Sequence, residues 1–298
     1  MVICVLLNSR GSCYTDHLTG SQLGRKQLLQ PWSQALSDGI ELAAGHPVAD
    51  PPLDLAFYGN LYLTPSDKKG PGTEQDVFED ASPEEVDALL EASREALTPE
   101  ELAAAEALPP TMARTRTPRP LQTVLRGLDR KFGAAAGVLY LGTLRQVRRY
   151  LTEPQLTASV DDVVDRTAAA GCAILIGHSL GSVVALEFMR RNPKHRVDLL
   201  LTVGSPLGLR MVQSRLPAPL CGTDTPTGLP TNVARWVNVR DLRDPVSCAG
   251  DLRRFWPGIE ERLVDNQGDA HNIGRYLSKI ETGSVLLETA PELGEENP

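Results

Sequence analysis

The run GHSLG at residues 177–181 places Ser179 between Gly177 and Gly181. A serine hydroxyl becomes a useful nucleophile only when a nearby base takes its proton and a third group holds that base in place. The base must titrate near neutrality, which selects histidine. Downstream of Ser179 the chain offers His195 and His271, and His271 stands in a short polar loop, QGDAHN. Two carboxylates in RDLRDPVS, Asp241 and Asp244, are candidates to orient the imidazole. Asp244 is favoured because Pro245 stiffens the loop behind it, and Asp241 is the alternative, suited to capping that loop. Asp269 is a more distant third candidate. Together these residues would transfer an acyl group to water through an acyl-enzyme, with the Leu180 N–H receiving the developing oxyanion. The other histidines have simpler readings. His178 adjoins the serine but is turned away from it and packs or hydrogen-bonds, while His17, His46 and His195 belong to exposed loops or turns.

Gly-x-Ser-x-Gly is short enough to arise by chance, so its flanks must carry the case. A nucleophile elbow needs a strand that stops abruptly, a strained turn and a helix that starts at once. AILIG supplies an apolar strand before Ser179, and SVVALEFMRRN supplies a helix after it, stopped at Asn192-Pro193. The glycines leave room where a Cβ would meet the neighbouring strand or helix. In such elbows the acid and then the histidine follow the serine in chain order, each on a loop after a later strand. RVDLLLTVG, VARWVNV and IEERLVDN read as those strands.

The same alternation starts the chain. VICVLL (Val2 to Leu7) is a buried strand, Trp32 to Ala44 a helix and LDLAFYG a second strand, which at this spacing suggests a parallel βαβ unit. Residues 62–135 then break the pattern with loops and acidic helices and read as a helical insertion or lid. Ser82 caps one helix with Glu85 completing a capping box, and Thr98-Pro99 opens another. Leu121 to Ala170 is helical throughout. The fold class is α/β, a mostly parallel doubly wound sheet with helices on both faces, in one domain over 1–290; the acidic tail 291–298 is expected to be disordered.

Four stretches, GHSLG, LLLTVGSPLGL, WVNVRDLRDPV and HNIGRYL, resemble α/β-hydrolases of the serine esterase and lipase type, among them GPI-deacylase-like lipases. PWSQALSDGI and FYGNLY resemble a group of actinobacterial α/β-hydrolases. The resemblance implies a Ser179–His271–Asp244 triad cleaving a carboxylic ester. A peptidase, thioesterase or acyltransferase would use the same triad, and a non-catalytic binding module could share the fold. One feature departs from the family. Its members carry His-Gly after the first strand as a source of the second oxyanion donor, whereas here VICVLL runs into NSRGS. A main-chain N–H of Asn8 or Ser9 is the expected substitute, and a lost donor lowers turnover by about two to three powers of ten.

Composition sets the outer limits. Thirty basic against thirty-eight acidic residues give a net charge of −8, which argues against a nucleic-acid or anionic-membrane binder. The charge is uneven, acidic from Glu74 to Glu106 and basic from Arg114 to Arg149; these are two faces that meet or two separately solvated ones. Five cysteines lack metal-ligand spacing, and Cys4 and Cys172 read as small core residues in a reduced, cytoplasmic protein. The expected substrate is a small-molecule or lipid-like ester, with no metal, no cofactor and no stable membrane insertion; protein partners are unspecified.

Overall fold

The structure is a computed structural model that describes residues 3–7, 20–62, 78–108, 117–169, 171–216 and 229–296, with only the backbone described for 3–7 and 20–27. Six strands form one sheet: β1 (Ile3–Leu7), β2 (Leu53–Phe57), β3 (Ile174–His178), β4 (Val197–Val203), β5 (Val233–Asp241) and β6 (Glu260–Val264), in spatial order β2-β1-β3-β4-β5-β6. β3 to β6 pair in parallel. The largely apolar, buried β3 and β4 fit the centre of a sheet covered on both faces, while β6, with one buried residue in five, lies at its edge.

β1 departs from the expected parallel βαβ unit. It runs antiparallel to both neighbours, with Leu7 opposite Ile174 and Leu53, and Ile3 opposite His178 and Phe57. An all-apolar strand has the same pattern read in either direction, so its composition carries no information about polarity.

Side chains alternate across the sheet. Ile174 and Ile176 point to a layer formed by α1 (Gly20–Ala44), α9 (Ile273–Leu277) and α10 (Ile280–Thr289), where Trp32, Leu36, Ile40, Tyr276 and Leu286 are buried. Helix α1 and helix α10 cross closely enough that a Cβ on Gly283 would lie 1.8 Å from the Gly39 carbonyl oxygen. Leu175, Leu200 and Trp236 point to the opposite layer, which holds α2 (Pro83–Ser93), α3 (Pro99–Glu106), α4 (Arg119–Phe132), α5 (Ala136–Thr152), α6 (Pro154–Ala168) and α7 (Leu180–Arg191). A short α8 (Arg210–Gln213) follows β4.

Helices α2 to α6 lie between β2 and β3 in sequence and share one apolar core with the sheet. The acidic and basic stretches meet there: Arg145 reaches Asp80 at 2.9 Å and Glu85 at 2.8 Å, and Lys131 reaches Glu101 at 3.0 Å. Such pairs contribute at most about 1 kcal/mol each when solvent reaches them, so the buried Leu89, Leu125, Leu141 and Leu144 hold the helices and the charges orient them. Thr98 and Glu101 form a reciprocal capping box. At α2, Ser82 accepts the Glu85 N–H as expected, but the Glu85 carboxylate goes to Arg145, a stronger partner than the backbone N–H of its own cap.

Pro291–Gly294 forms a 3-10 turn and Glu296 bridges to Val48, while 297–298 lie outside the described residues. Among the described residues no helix is long and apolar enough to cross a membrane.

Candidate active site

β3 ends at His178 and α7 begins at Leu180, so Ser179 alone makes the turn. Its backbone lies at φ 56° and ψ −129°, a region in which an L-residue is strained. The elbow tolerates this because its surroundings over-determine it. The Ser179 N–H donates to the Val203 carbonyl at 3.2 Å, and the Ser182 hydroxyl donates to the Ser179 carbonyl at 2.6 Å. Gly177 is obligatory, since a Cβ there would lie 2.6 Å from the Ser182 Cα and 2.7 Å from the Gly181 carbonyl. Leu180 opens α7, so its N–H belongs to a first turn that has no intrahelical carbonyl to receive it.

The loops after β5 and β6 bring the other groups to the elbow. Ser179 Oγ lies 3.0 Å from His271 Nε2. The opposite ring nitrogen, Nδ1, lies 2.8 Å from Asp244 Oδ2 and 3.0 Å from Oδ1. With Nδ1 facing a carboxylate, the proton of the neutral imidazole belongs on Nδ1, and Nε2 is left to accept from serine. Asp244 is fully buried, and its Oδ1 also accepts the Val246 N–H at 2.8 Å.

The alternative acid does different work. Asp241 is buried, and its carboxylate accepts the backbone N–H groups of Arg243 and Asn266. It therefore ties the loop that carries Asp244 to the loop that leads to His271. Asp269 is exposed and pairs with Asn272.

The His178 side chain hydrogen-bonds and packs as expected, away from Ser179. Its Nε2–H donates to the His271 carbonyl at 2.9 Å, and the two rings lie 4.6 Å apart. Burial, and secondly the neighbouring His271, hold the His178 imidazole well below its ordinary pKa, so it stays neutral. His46 and His195 are half-buried in a bend and a turn, and His195 Nε2 lies 3.4 Å from the Cys172 thiol. Burial pushes Cys172 up to about 12, which makes it inert at neutral pH. Cys248 is likewise raised to about 12, chiefly by burial. Cys13, Cys221 and His17 lie outside the described residues, as does the Cys4 side chain.

The expected second oxyanion donors, Asn8 and Ser9, also lie outside the described residues. Leu7 ends β1 opposite Ile174, four residues from His178 and therefore about 13 Å from the elbow at ordinary strand rise.

Two residues that the sequence did not single out adjoin the Asp244–His271 pair. Gly204 follows β4 at φ +54°, and a Cβ on it would lie 2.8 Å from Asp244 Oδ2 and 3.2 Å from His271 Nδ1. Tyr276, on α9, donates its hydroxyl to Asp244 Oδ2 at 2.8 Å. Gly204 stands in the quoted TVGSPLG, so a glycine closing the strand beside the elbow was an available signal. Tyr276 stands in the quoted HNIGRYL, but nothing in that stretch pointed to Asp244, thirty-two positions away. Among the described residues no group of three or more His, Cys, Asp or Glu could hold a metal ion. No family model, no curated protein and no solved structure matches this chain.

Proposed function

We propose that the protein is a serine hydrolase of the α/β-hydrolase type that cleaves a carboxylic ester through an acyl-enzyme. The observation that carries this reading is the continuous hydrogen-bonded line from Ser179 through His271 to Asp244, at 3.0 and 2.8 Å. His271 Nε2 takes the Ser179 proton as Oγ attacks the ester carbonyl. Asp244 holds the ring in the tautomer that makes this possible and stabilises the imidazolium that forms. The Leu180 N–H, at the positive end of α7, donates to the oxyanion. His271 then protonates the leaving alcohol, and a water activated by the same nitrogen releases the acid and restores the serine.

Ser179 is only 3% exposed and His271 only 7%. An ester therefore reaches the hydroxyl after neighbouring segments part, and helices α2 to α5 are the proposed cover. One link supports this: Glu95, just past α2, accepts the Arg210 N–H at 2.8 Å on the segment that continues from Gly204. A non-catalytic binding module is the second reading. It is favoured by the direction of β1, which ends at Leu7 opposite Ile174 and not beside the elbow.

A fluorophosphonate probe decides between them. Labelling that requires Ser179, together with turnover of p-nitrophenyl esters, supports the hydrolase. Labelling that survives Ser179→Ala, or a folded protein that turns over no ester, amide or thioester, refutes it.

A further inference from the structure

Tyr276 occupies a junction that the triad alone does not explain. Its side chain is fully buried, and its hydroxyl has two partners: it donates to Asp244 Oδ2 at 2.8 Å and accepts the Asp241 N–H at 3.0 Å. A phenylalanine would fill the same volume, so the buried hydroxyl is there for its hydrogen bonds. Burial, and next to it the Asp244 carboxylate, raise the phenol well above its ordinary pKa, which keeps the proton available for donation.

The carboxylate needs such a partner. The terminal torsion of aspartate is broad and carries little rotational preference of its own. Val246 N–H holds Oδ1, but it lies on the same loop two residues away and cannot set where that loop stands relative to His271. Tyr276 can. It sits five residues after His271 on the same segment, and both residues hydrogen-bond to Asp244 Oδ2. Two attachments from one segment to one oxygen fix both the distance and the rotation of the carboxylate. The Asp241 N–H completes the junction by bringing in the end of β5.

We propose that Tyr276 is a positioning residue that sets the orientation of Asp244, and through it the imidazole of His271. This role rests on the Ser179–His271–Asp244 reading above.

The test is Tyr276→Phe in the full chain, with two readouts. Turnover of a p-nitrophenyl ester should show kcat lower by about tenfold with KM unchanged, as expected for one lost hydrogen bond that acts in the transition state. The low-field proton resonance of His271 Nδ1–H should be displaced or broadened. A purely structural role would lower thermal stability and leave both readouts where they were, and that result overturns the proposal. A second route avoids the vacancy: 3-fluorotyrosine keeps the shape and strengthens donation, and the resonance should move only when position 276 is tyrosine. If the unaltered protein turns over no ester, the proposed hydrolase activity fails. The resonance still decides the positioning role, which fails if the signal is the same in Tyr276→Phe.

Discussion

Gly204→Ala tests the geometry of the site without touching a triad residue. Two penalties are built into the position. Its backbone lies at φ +54°, where an alanine is destabilised by about 1–2 kcal/mol relative to the right-handed region. The new methyl would lie 2.8 Å from Asp244 Oδ2, 3.0 Å from the Tyr276 ring and 3.2 Å from His271 Nδ1, each inside ordinary contact. Of these, the carboxylate has the freest torsion, so it yields by about half an ångström. A misplacement of about 1 Å in such a constellation lowers turnover by about a hundredfold, so a tenfold to hundredfold loss of kcat is expected. Stability should fall by about 1–2 kcal/mol, with most of the loss coming from the backbone. The assay is ester turnover beside urea unfolding, with fluorophosphonate labelling to count intact nucleophiles. Turnover within twofold of the unaltered protein, in a variant that folds, would refute the claim that Gly204 makes room for the acid–base pair.

Asp244→Asn should lower kcat by about four powers of ten, because the amide favours the wrong tautomer of His271. Asp241→Asn should instead strip an acceptor from the Arg243 and Asn266 N–H groups and cost about 1–3 kcal/mol of stability, with turnover reduced less than tenfold; equal kinetic losses in the two variants would undo the assignment. Gly283→Ala should destabilise by more than about 3 kcal/mol, since the methyl would land 1.8 Å from the Gly39 carbonyl, and an unchanged unfolding midpoint would refute the close crossing. Burial depresses the folded-state pKa of His178, so below the ordinary histidine value the unfolded chain binds a proton that the folded chain refuses. Stability should therefore fall as pH drops through about 6.5, by up to about 1.4 kcal/mol per unit from this group, and His178→Gln should flatten that slope. A slope identical in the two proteins would contradict a buried neutral His178.

Much of the site was legible because its signals are local. The elbow is a strand, a serine and a helix within about twenty residues, and Pro245 marked Asp244 over Asp241. The parallel pairing of β3 and β4 follows from the helix α7 between them, whereas among the described residues only the four-residue α8 and a 3-10 turn lie between β4 and β5, and one 3-10 turn lies between β5 and β6. The direction of β1 was hidden, since VICVLL buries equally well either way. Tyr276 was hidden for another reason: an aromatic on a five-residue helix reads as core, and only its partner distinguishes it from phenylalanine. The Gly39–Gly283 crossing was also invisible, because the two glycines lie on helices at opposite ends of the chain and neither interrupts its own helix.

That crossing bears on the order in which the fold closes during synthesis. Helix α1 emerges before α9 and α10, with Trp32, Leu36 and Ile40 on one face, and much of the cover for that face is those two helices. Helix α10 begins at Ile280, more than two hundred residues after α1 ends at Ala44. At ordinary elongation rates of about 5–20 residues per second, the face waits roughly 10–50 s for its partner. The segment that supplies the partner also carries His271 and Tyr276. A ribosome-bound chain thus already holds Ser179 and Asp244 while this face of α1 lacks its partner helices and His271 is missing, so shielding of α1 and completion of the Ser179–His271–Asp244 line arrive together.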